Sequence, residues 1–244
     1  MKIYGRNAVE EALKSGTTID RLVVQRDLRD AGANRIIQEA KDRGIKIFFR
    51  DKTALDRETE HGGRHQGFVA EVTDFKYSEP EEILALAESR GEPPFIVILD
   101  GVEDPHNLGS VIRVAECAGV HGIIIPRHRA VSVNDTVVKV SSGAAAHIKV
   151  AKVTNINNTI AELKERGVWV YAADMEGDDL YSTDLRGPVA IVVGGEGKGV
   201  SRLTREVCDG VVSIPMFGKV NSLNASVAAA VVIYEKVRQM VAHR

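Results

Sequence analysis

Cysteine is scarce in this chain. Only Cys117 and Cys208 occur in 244 residues, with no CxxC and no His/Cys pairing at metal spacing. That argues for a reducing compartment and against a structural zinc site. Long apolar runs are also missing. None approaches the ~20 residues needed to span a bilayer, and the opening MKIYGRNAVEEALK has no apolar run of signal-peptide type. A cytoplasmic protein without a membrane span is therefore expected. There is little net charge: 32 Lys+Arg against 34 Asp+Glu, or −2. This excludes a broadly basic nucleic-acid coat protein. The common nucleotide fingerprints fail as well. A P-loop needs GxxxxGK followed by Ser or Thr, but Lys198 is followed by Gly199, and Val192 stands where the first glycine should be. After the strand FIVIL only Asp100–Gly101 follows, not GxGxxG.

What charge there is has a pattern. Residues 1–73 carry 14 Lys+Arg against 12 Asp+Glu, residues 74–94 carry 2 against 6, and residues 95–244 carry 16 against 16. The acidic, proline-flanked middle segment contains one amphipathic helix and reads as a linker. Before it, helices at NAVEEALKSG, ANRIIQEAKDRG and KTALDRET alternate with strands at IDRLVVQ, IKIFF and GFVAEV. This predicts a small α/β unit over 1–73. From Phe95 the alternation restarts. FIVIL, GIII, IKVAKV, VWVYAA, VAIVVG and VVSIP read as strands, with helical stretches between all of them except VWVYAA and VAIVVG, the first helix running from about Asn107 to Ala118. Strands alternating with helices predict an α/β unit with a mostly parallel sheet covered on both faces.

Ligands of such sheets collect beyond the C-terminal ends of the strands. Three unusual loops fall there: LDGVEDPHNLGSVIRVAECAG (99–119), GGEGKGVSRL (194–203) and PMFGKVNSLNAS (215–226). In the first, Asn107 is an N-cap candidate and Arg113 lies off the apolar stripe formed by Leu108, Val111, Ile112 and Ala115. The second has four glycines in six residues, which means a tight turn with close backbone approach to something, and Glu196 stands among them. In the third, Asn221, Ser222, Asn224 and Ser226 precede VAAAVVI (227–233), a run with no polar residue. One cap needs one residue, yet four are supplied. A helix apolar on all sides is expected to be buried on all sides.

Taken together, DPHNLGSVIRVAECAG, IVVGGEGKGVSRL and IPMFGKVNSLNASVAAAVVIYE resemble the three motifs of the SpoU (TrmH) family of RNA ribose methyltransferases, of the SPOUT class. The resemblance covers residues 95–240. The first 73 residues, including IYGRNAVEEAL and RHQGFVAEV, resemble the small substrate-binding domain of the family's ribosomal-RNA members, which is similar to ribosomal proteins that bind kinked RNA. The resemblance implies a SPOUT domain with a C-terminal trefoil knot, a homodimer, and S-adenosyl-L-methionine as methyl donor with no metal. Within the family, the likeness is to members that methylate a guanosine 2′-hydroxyl of large-subunit (23S) rRNA.

By resemblance, Arg113 sits at the catalytic centre with Asn107, Glu196, Ser222 and Asn224 around it. Gly194, Ile214 and Leu223 match positions whose backbone holds adenine and ribose, and Gly195 and Met216 line the same slot. A guanidinium is a poor base near neutral pH. Clamping an RNA phosphate is the physically easier task for Arg113, while Glu196 either takes the proton or orients Arg113. For RNA contact the candidates are Arg64 and His65 in GGRHQG (62–67), and Arg127, His128 and Arg129 after the GIII strand. The alternatives are the same chemistry on tRNA or on an adenosine of rRNA, and, in another class, a non-catalytic ribosome-assembly factor.

Overall fold

The computed structural model describes residues 2–15, 17–59, 64–73, 75–197 and 199–242. The chain divides into two compact units, Met1–Lys76 and Tyr77–Arg244. In the first, the order is β1 (Lys2–Tyr4), α1 (Arg6–Ser15), β2 (Thr18–Gln25), α2 (Ala31–Asp42), β3 (Lys46–Arg50), α3 (Lys52–Glu58) and β4 (Phe68–Thr73). The short β1 adds a strand that the apolar pattern does not announce. The sheet order is β1-β4-β2-β3, with β2 and β3 parallel and β4 antiparallel to both its neighbours. Alternation along β2 assigns the two faces. Leu22 and Val24 join Val9, Leu13 and Ile36 of α1 and α2, while Val23 meets Leu55 of α3 and Val69. Asp30 and Asp51 cap α2 and α3 by accepting from Ala33 and Ala54 amides.

The second unit runs α4 (Pro80–Arg90), β5 (Phe95–Asp100), α5 (Pro105–Cys117), β6 (Gly122–Pro126), α6 (Asp135–Val140), β7 (Lys149–Val153), α7 (Ile156–Glu165), β8 (Trp169–Asp179), β9 (Val189–Gly194), α8 (Arg202–Val207), β10 (Gly210–Ser213) and α9 (Ala225–Val241). Its six strands lie in the order β10-β8-β9-β5-β6-β7, all pairs parallel. Ile96 and Ile98 of β5 pack with Ile83 of α4 and with Ile156, Ile160 and Leu163 of α7. Val97 and Leu99, equally buried, face the other side, where α9 packs on α5, β8 and β9. The chain therefore leaves β5 in both directions, towards β6 and β7 on one side and towards β9, β8 and β10 on the other. The loops at this reversal carry the site.

Three sequence expectations need correction. Segment 74–94 is not free linker. Ile83 and Ala87 of α4 are fully buried, and Ile83 fills the space left by Gly122, where an added Cβ would stand 2.5 Å from Ile83 Cδ1. The acidic residues of α4, Glu81, Glu82 and Glu88, lie on its exposed side. Secondly, α5 starts at Pro105, capped by Asp104, which accepts from the His106 amide. Asn107 is already inside the helix and does not cap it. Thirdly, α9 is capped by Asn224 rather than by Asn221 or Ser222; in the single chain Val227 and Tyr234 are each 48% exposed.

Candidate active site

The cap of α9 organises the site. Asn224 Oδ1 accepts from the Ser226 amide at 3.0 Å, the Val227 amide at 3.3 Å and the Ser226 hydroxyl at 2.7 Å. With its oxygen spent on the helix, the Asn224 NH₂ group must point away from it. It donates to Glu196 Oε1 at 2.6 Å and to Asn107 Oδ1 at 3.0 Å. That in turn fixes Asn107, whose own NH₂ donates to Glu196 Oε1 at 2.9 Å. Three loops far apart in sequence thus converge on one carboxylate. Glu196 Oε1 takes two amide donors, and Oε2 makes no hydrogen bond among the described residues.

The glycine-rich loop is shaped by its own backbone. A Cβ on Gly194 would lie 1.9 Å from the carbonyl carbon of Gly199, and one on Gly195 would lie 2.1 Å from the carbonyl oxygen of Gly101. The close approach expected there is to protein, and it presses the loop holding Glu196 against the end of β5. Asp100 adds a tie, accepting from the Ser201 amide at 2.9 Å. Lys198 lies outside the described residues.

The other expected residues stand around this network without joining it. Arg113 is exposed on α5 and makes no ion pair or hydrogen bond among the described residues. Ser222 is exposed as well. No hydrogen bond involves residues 214–223 among the described residues. Met216, Leu223, Val220 and Phe217 are 38%, 39%, 73% and 98% exposed, and Ile214 is half-buried. Uncommitted backbone amides and carbonyls beside apolar side chains are what a planar, hydrogen-bonding ring such as adenine requires.

A cleft of about 780 Å³ takes in Asn107, Gly195 and Glu196. It lies over the ends of β5, β6 and β7, between residues 100–104, 126–129, 154–157 and 195–204. Sequence reasoning missed part of its lining, Thr154 and Asn155 among them. The one signal available was their position at the C-terminal ends of parallel strands. Arg129 and His128 line it and are exposed, with the Arg129 backbone at φ +55°. Arg127 is exposed next to them. In the first unit, Arg64 is exposed, whereas His65 is 6% exposed. His65 Nδ1 accepts from the Gly67 amide at 2.9 Å, so the proton on Nε2 is donated to Asp56 Oδ1, also at 2.9 Å. His65 supports its loop and is not free to contact RNA. Gly62 and Gly63 of the same loop lie outside the described residues. Among the described residues no group of three or more His, Cys, Asp or Glu stands ready to hold a metal ion, and no helix is long and apolar enough to cross a membrane.

Comparison with known proteins gives this geometry a class. Residues 94–234 match the SpoU rRNA Methylase family, and residues 2–78 match the family described as RNA 2′-O ribose methyltransferase substrate binding. The chain is 45% identical over 238 residues, 97% of this chain and 95% of the other, to YacO of Bacillus subtilis (strain 168), a protein assigned to the TrmH family of tRNA/rRNA methyltransferases. Among solved structures it is similar to the SpoU methyltransferase AviRb from Streptomyces viridochromogenes in complex with AdoMet, with a TM-score of 0.63 and 25% identity over 99% of this chain and 91% of that one. It is also similar to the A. aeolicus TrmH/SpoU tRNA modifying enzyme, with a TM-score of 0.58 and 28% identity over 67% of this chain and 84% of that one. The fold and the site define an RNA methyltransferase that uses S-adenosylmethionine as methyl donor. The chain belongs to the SpoU (TrmH) family.

Proposed function

We propose that this enzyme methylates the ribose 2′-hydroxyl of a guanosine in large-subunit (23S) ribosomal RNA. The observation that carries the chemistry is the Asn107–Glu196–Asn224 network, which holds one carboxylate by two amides and leaves its second oxygen unspent. When bound, S-adenosylmethionine supplies a methyl group on a sulfonium, a leaving group that needs no proton. The protein's task is then to align the acceptor and ease its proton away. Glu196 Oε2 either takes that proton or orients Arg113. The unpaired Arg113 clamps the adjacent phosphate, and Ser222 stands in the same loop as the donor-binding backbone. Gly194, Gly195, Ile214, Met216 and Leu223 hold the donor.

Ribosomal RNA is favoured by the first unit. Residues 2–78 match a 2′-O ribose methyltransferase substrate-binding family, whereas the tRNA-modifying relative aligns with 67% of this chain. In this reading residues 1–73 bind RNA in the manner of kinked-RNA ribosomal proteins, through Arg64, and residues 95–244 carry the chemistry, aided by Arg127 and Arg129. The knot and the homodimer belong to the same proposal, as does a cytoplasmic location beside the substrate. A second copy would cover the half-exposed stripe Val227, Tyr234 and Val241 on α9. The test is in vitro methylation of large-subunit rRNA with labelled donor, followed by mapping of the modified ribose. Label on a tRNA, or on an adenosine, would replace the substrate named here.

A further inference from the structure

The cleft over β5, β6 and β7 has no task in the account above, and its placement suggests one. The donor-holding positions lie at the ends of β9 and β10. The cleft lies at the ends of β5, β6 and β7, and Asn107 and Glu196 form part of its wall. Gly195, one of the donor-holding positions, lines the cleft as well, so the two regions adjoin at the carboxylate network. An in-line displacement needs its nucleophile and its leaving group, here the ribose oxygen and the sulfonium sulfur, on opposite sides of the methyl carbon.

We propose that this cleft receives the nucleoside whose 2′-hydroxyl is methylated, turned out of its RNA stack, with its base against Glu103 and its phosphate at Arg129. This rests on the methyltransferase reading and names the acceptor side of that same site. The volume is within the range of about 300–1,000 Å³ usual for small-molecule sites. Sequence-specific RNA recognition reads bases that are unstacked and splayed out, and a pocket of this size takes one such nucleoside. The lining divides by chemistry. Asp100, Glu103, Asp104 and Glu196 repel phosphate and accept hydrogen bonds, whereas His128 and Arg129 stand at residues 126–129. Asp100 and Asp104 each have an oxygen committed to a backbone amide, Ser201 and His106 respectively. Glu103 has no partner among the described residues. A free carboxylate pairs with two adjacent donors, and of the four bases only guanine offers an imino N–H beside an amino group. Thr154 and Asn155, at the end of β7, form the far wall.

The test uses the full chain and an rRNA fragment that the wild-type enzyme methylates. Thr154→Trp fills the cleft from an exposed position that makes no hydrogen bond among the described residues. It should reduce kcat/KM for RNA at least tenfold while calorimetric affinity for S-adenosylmethionine stays within twofold. Glu103→Gln replaces one acceptor by a donor. Wild type should transfer methyl to an inosine-substituted target, which lacks the amino group, at least tenfold more slowly than to guanosine. E103Q should reduce that preference to less than threefold. Unchanged transfer by T154W, or an inosine preference that E103Q leaves intact, overturns the proposal although the enzyme remains a methyltransferase. If the wild-type chain methylates no RNA while it binds the donor, the functional reading fails first and this proposal with it.

Discussion

Replacing Asn224 by aspartate separates two jobs that the native side chain does at once. Capping survives, because a carboxylate oxygen accepts from the Ser226 and Val227 amides as well as a carboxamide oxygen does. Donation is reversed, because an oxygen now stands where an NH₂ group lies 2.6 Å from Glu196 Oε1. Two unit charges ~4 Å apart repel by about 1 kcal/mol in water and about 4 kcal/mol at an effective dielectric of 20. Both side chains are exposed, so the low end applies, about 1–2 kcal/mol. A lost hydrogen bond to a charged group adds about 1.5–3 kcal/mol. At ~2–4 °C per kcal/mol for a unit of this size, the melting temperature should fall by roughly 5–20 °C at pH 8. The repulsion acts only while both carboxylates are charged, so it is present at pH 8 and absent once either is protonated in acid. Asn224→Ala also loses stability, about 2 kcal/mol from the cap and the donors together, but its loss is flat between pH 5 and 8. Methyl transfer should drop about 10²-fold in both, equivalent to ~2.7 kcal/mol in the barrier. Calorimetric melts across that pH range and a labelled-donor assay decide it. If N224D melts with the wild type at pH 8 and transfers methyl at its rate, Asn224 does not hold Glu196 and the network has no catalytic meaning.

Arg113→Ala should lower methyl transfer about 10²-fold or more with donor affinity unchanged; calorimetry with S-adenosylmethionine checks the second half, since loss of binding in a folded variant would move Arg113 into the donor site. Gly195→Ala should destabilise by roughly 2–4 kcal/mol and abolish donor binding, because its Cβ would meet the Gly101 carbonyl oxygen at 2.1 Å and neither backbone can yield alone; thermal melts and donor titration read both effects. Burial pushes the Lys236 amine down to about 8 from 10.5. The unfolded chain then holds more protons between those values, so stability gains up to ~1.4 kcal/mol per pH unit as pH rises from about 8 towards 10.5. Urea titrations of wild type and Lys236→Met at pH 8 and pH 10 should show this gain only in the former.

Much of the second unit could be read from its letters because its strands are buried on both faces. FIVIL and VAIVVG have no polar residue to confuse the period, and β5 and β9 lie side by side at the centre of the sheet. Signals read from single residues fared worse. Asn107 is a good cap by type, but Asp104 followed by Pro105 starts the helix one turn earlier, and only then does Asn107 face Glu196. The acidic composition of 74–94 hid Ile83 and Ala87, because charge counts average over a helix whose two sides do different work. The cleft was legible only in part: the loops at 99–119 and 194–203 were singled out, but Thr154 and Asn155 were not. Its walls come from separate stretches that share nothing in sequence except their place after parallel strands.

The closing helix shows most clearly where composition misleads. VAAAVVI has no polar side, so burial all round was expected. In the structure burial does not follow polarity: Ala229, Val232 and Ile233 are 0% exposed, but so is Lys236. Val227 is half-exposed, while Glu235, Lys236 and Gln239 are 4%, 0% and 8% exposed. Each of these three is buried because it has partners. Lys236 Nζ donates to the carbonyls of Arg186 and Gly187 at 2.7 and 2.9 Å. Gln239 accepts from the Leu185 amide at 2.8 Å and donates to Thr183 O at 2.9 Å. Glu235 accepts from Arg238 and Gln239 at 2.8 Å each. The C-terminal half of α9 is thus bonded to the segment between β8 and β9, a tie made by polar groups rather than apolar ones. The apolar half leads from the Asn224 cap, and its uncovered face is open to a second copy. An apolar run states what a helix tolerates, whereas its buried polar residues, each needing a named partner, state where it is held.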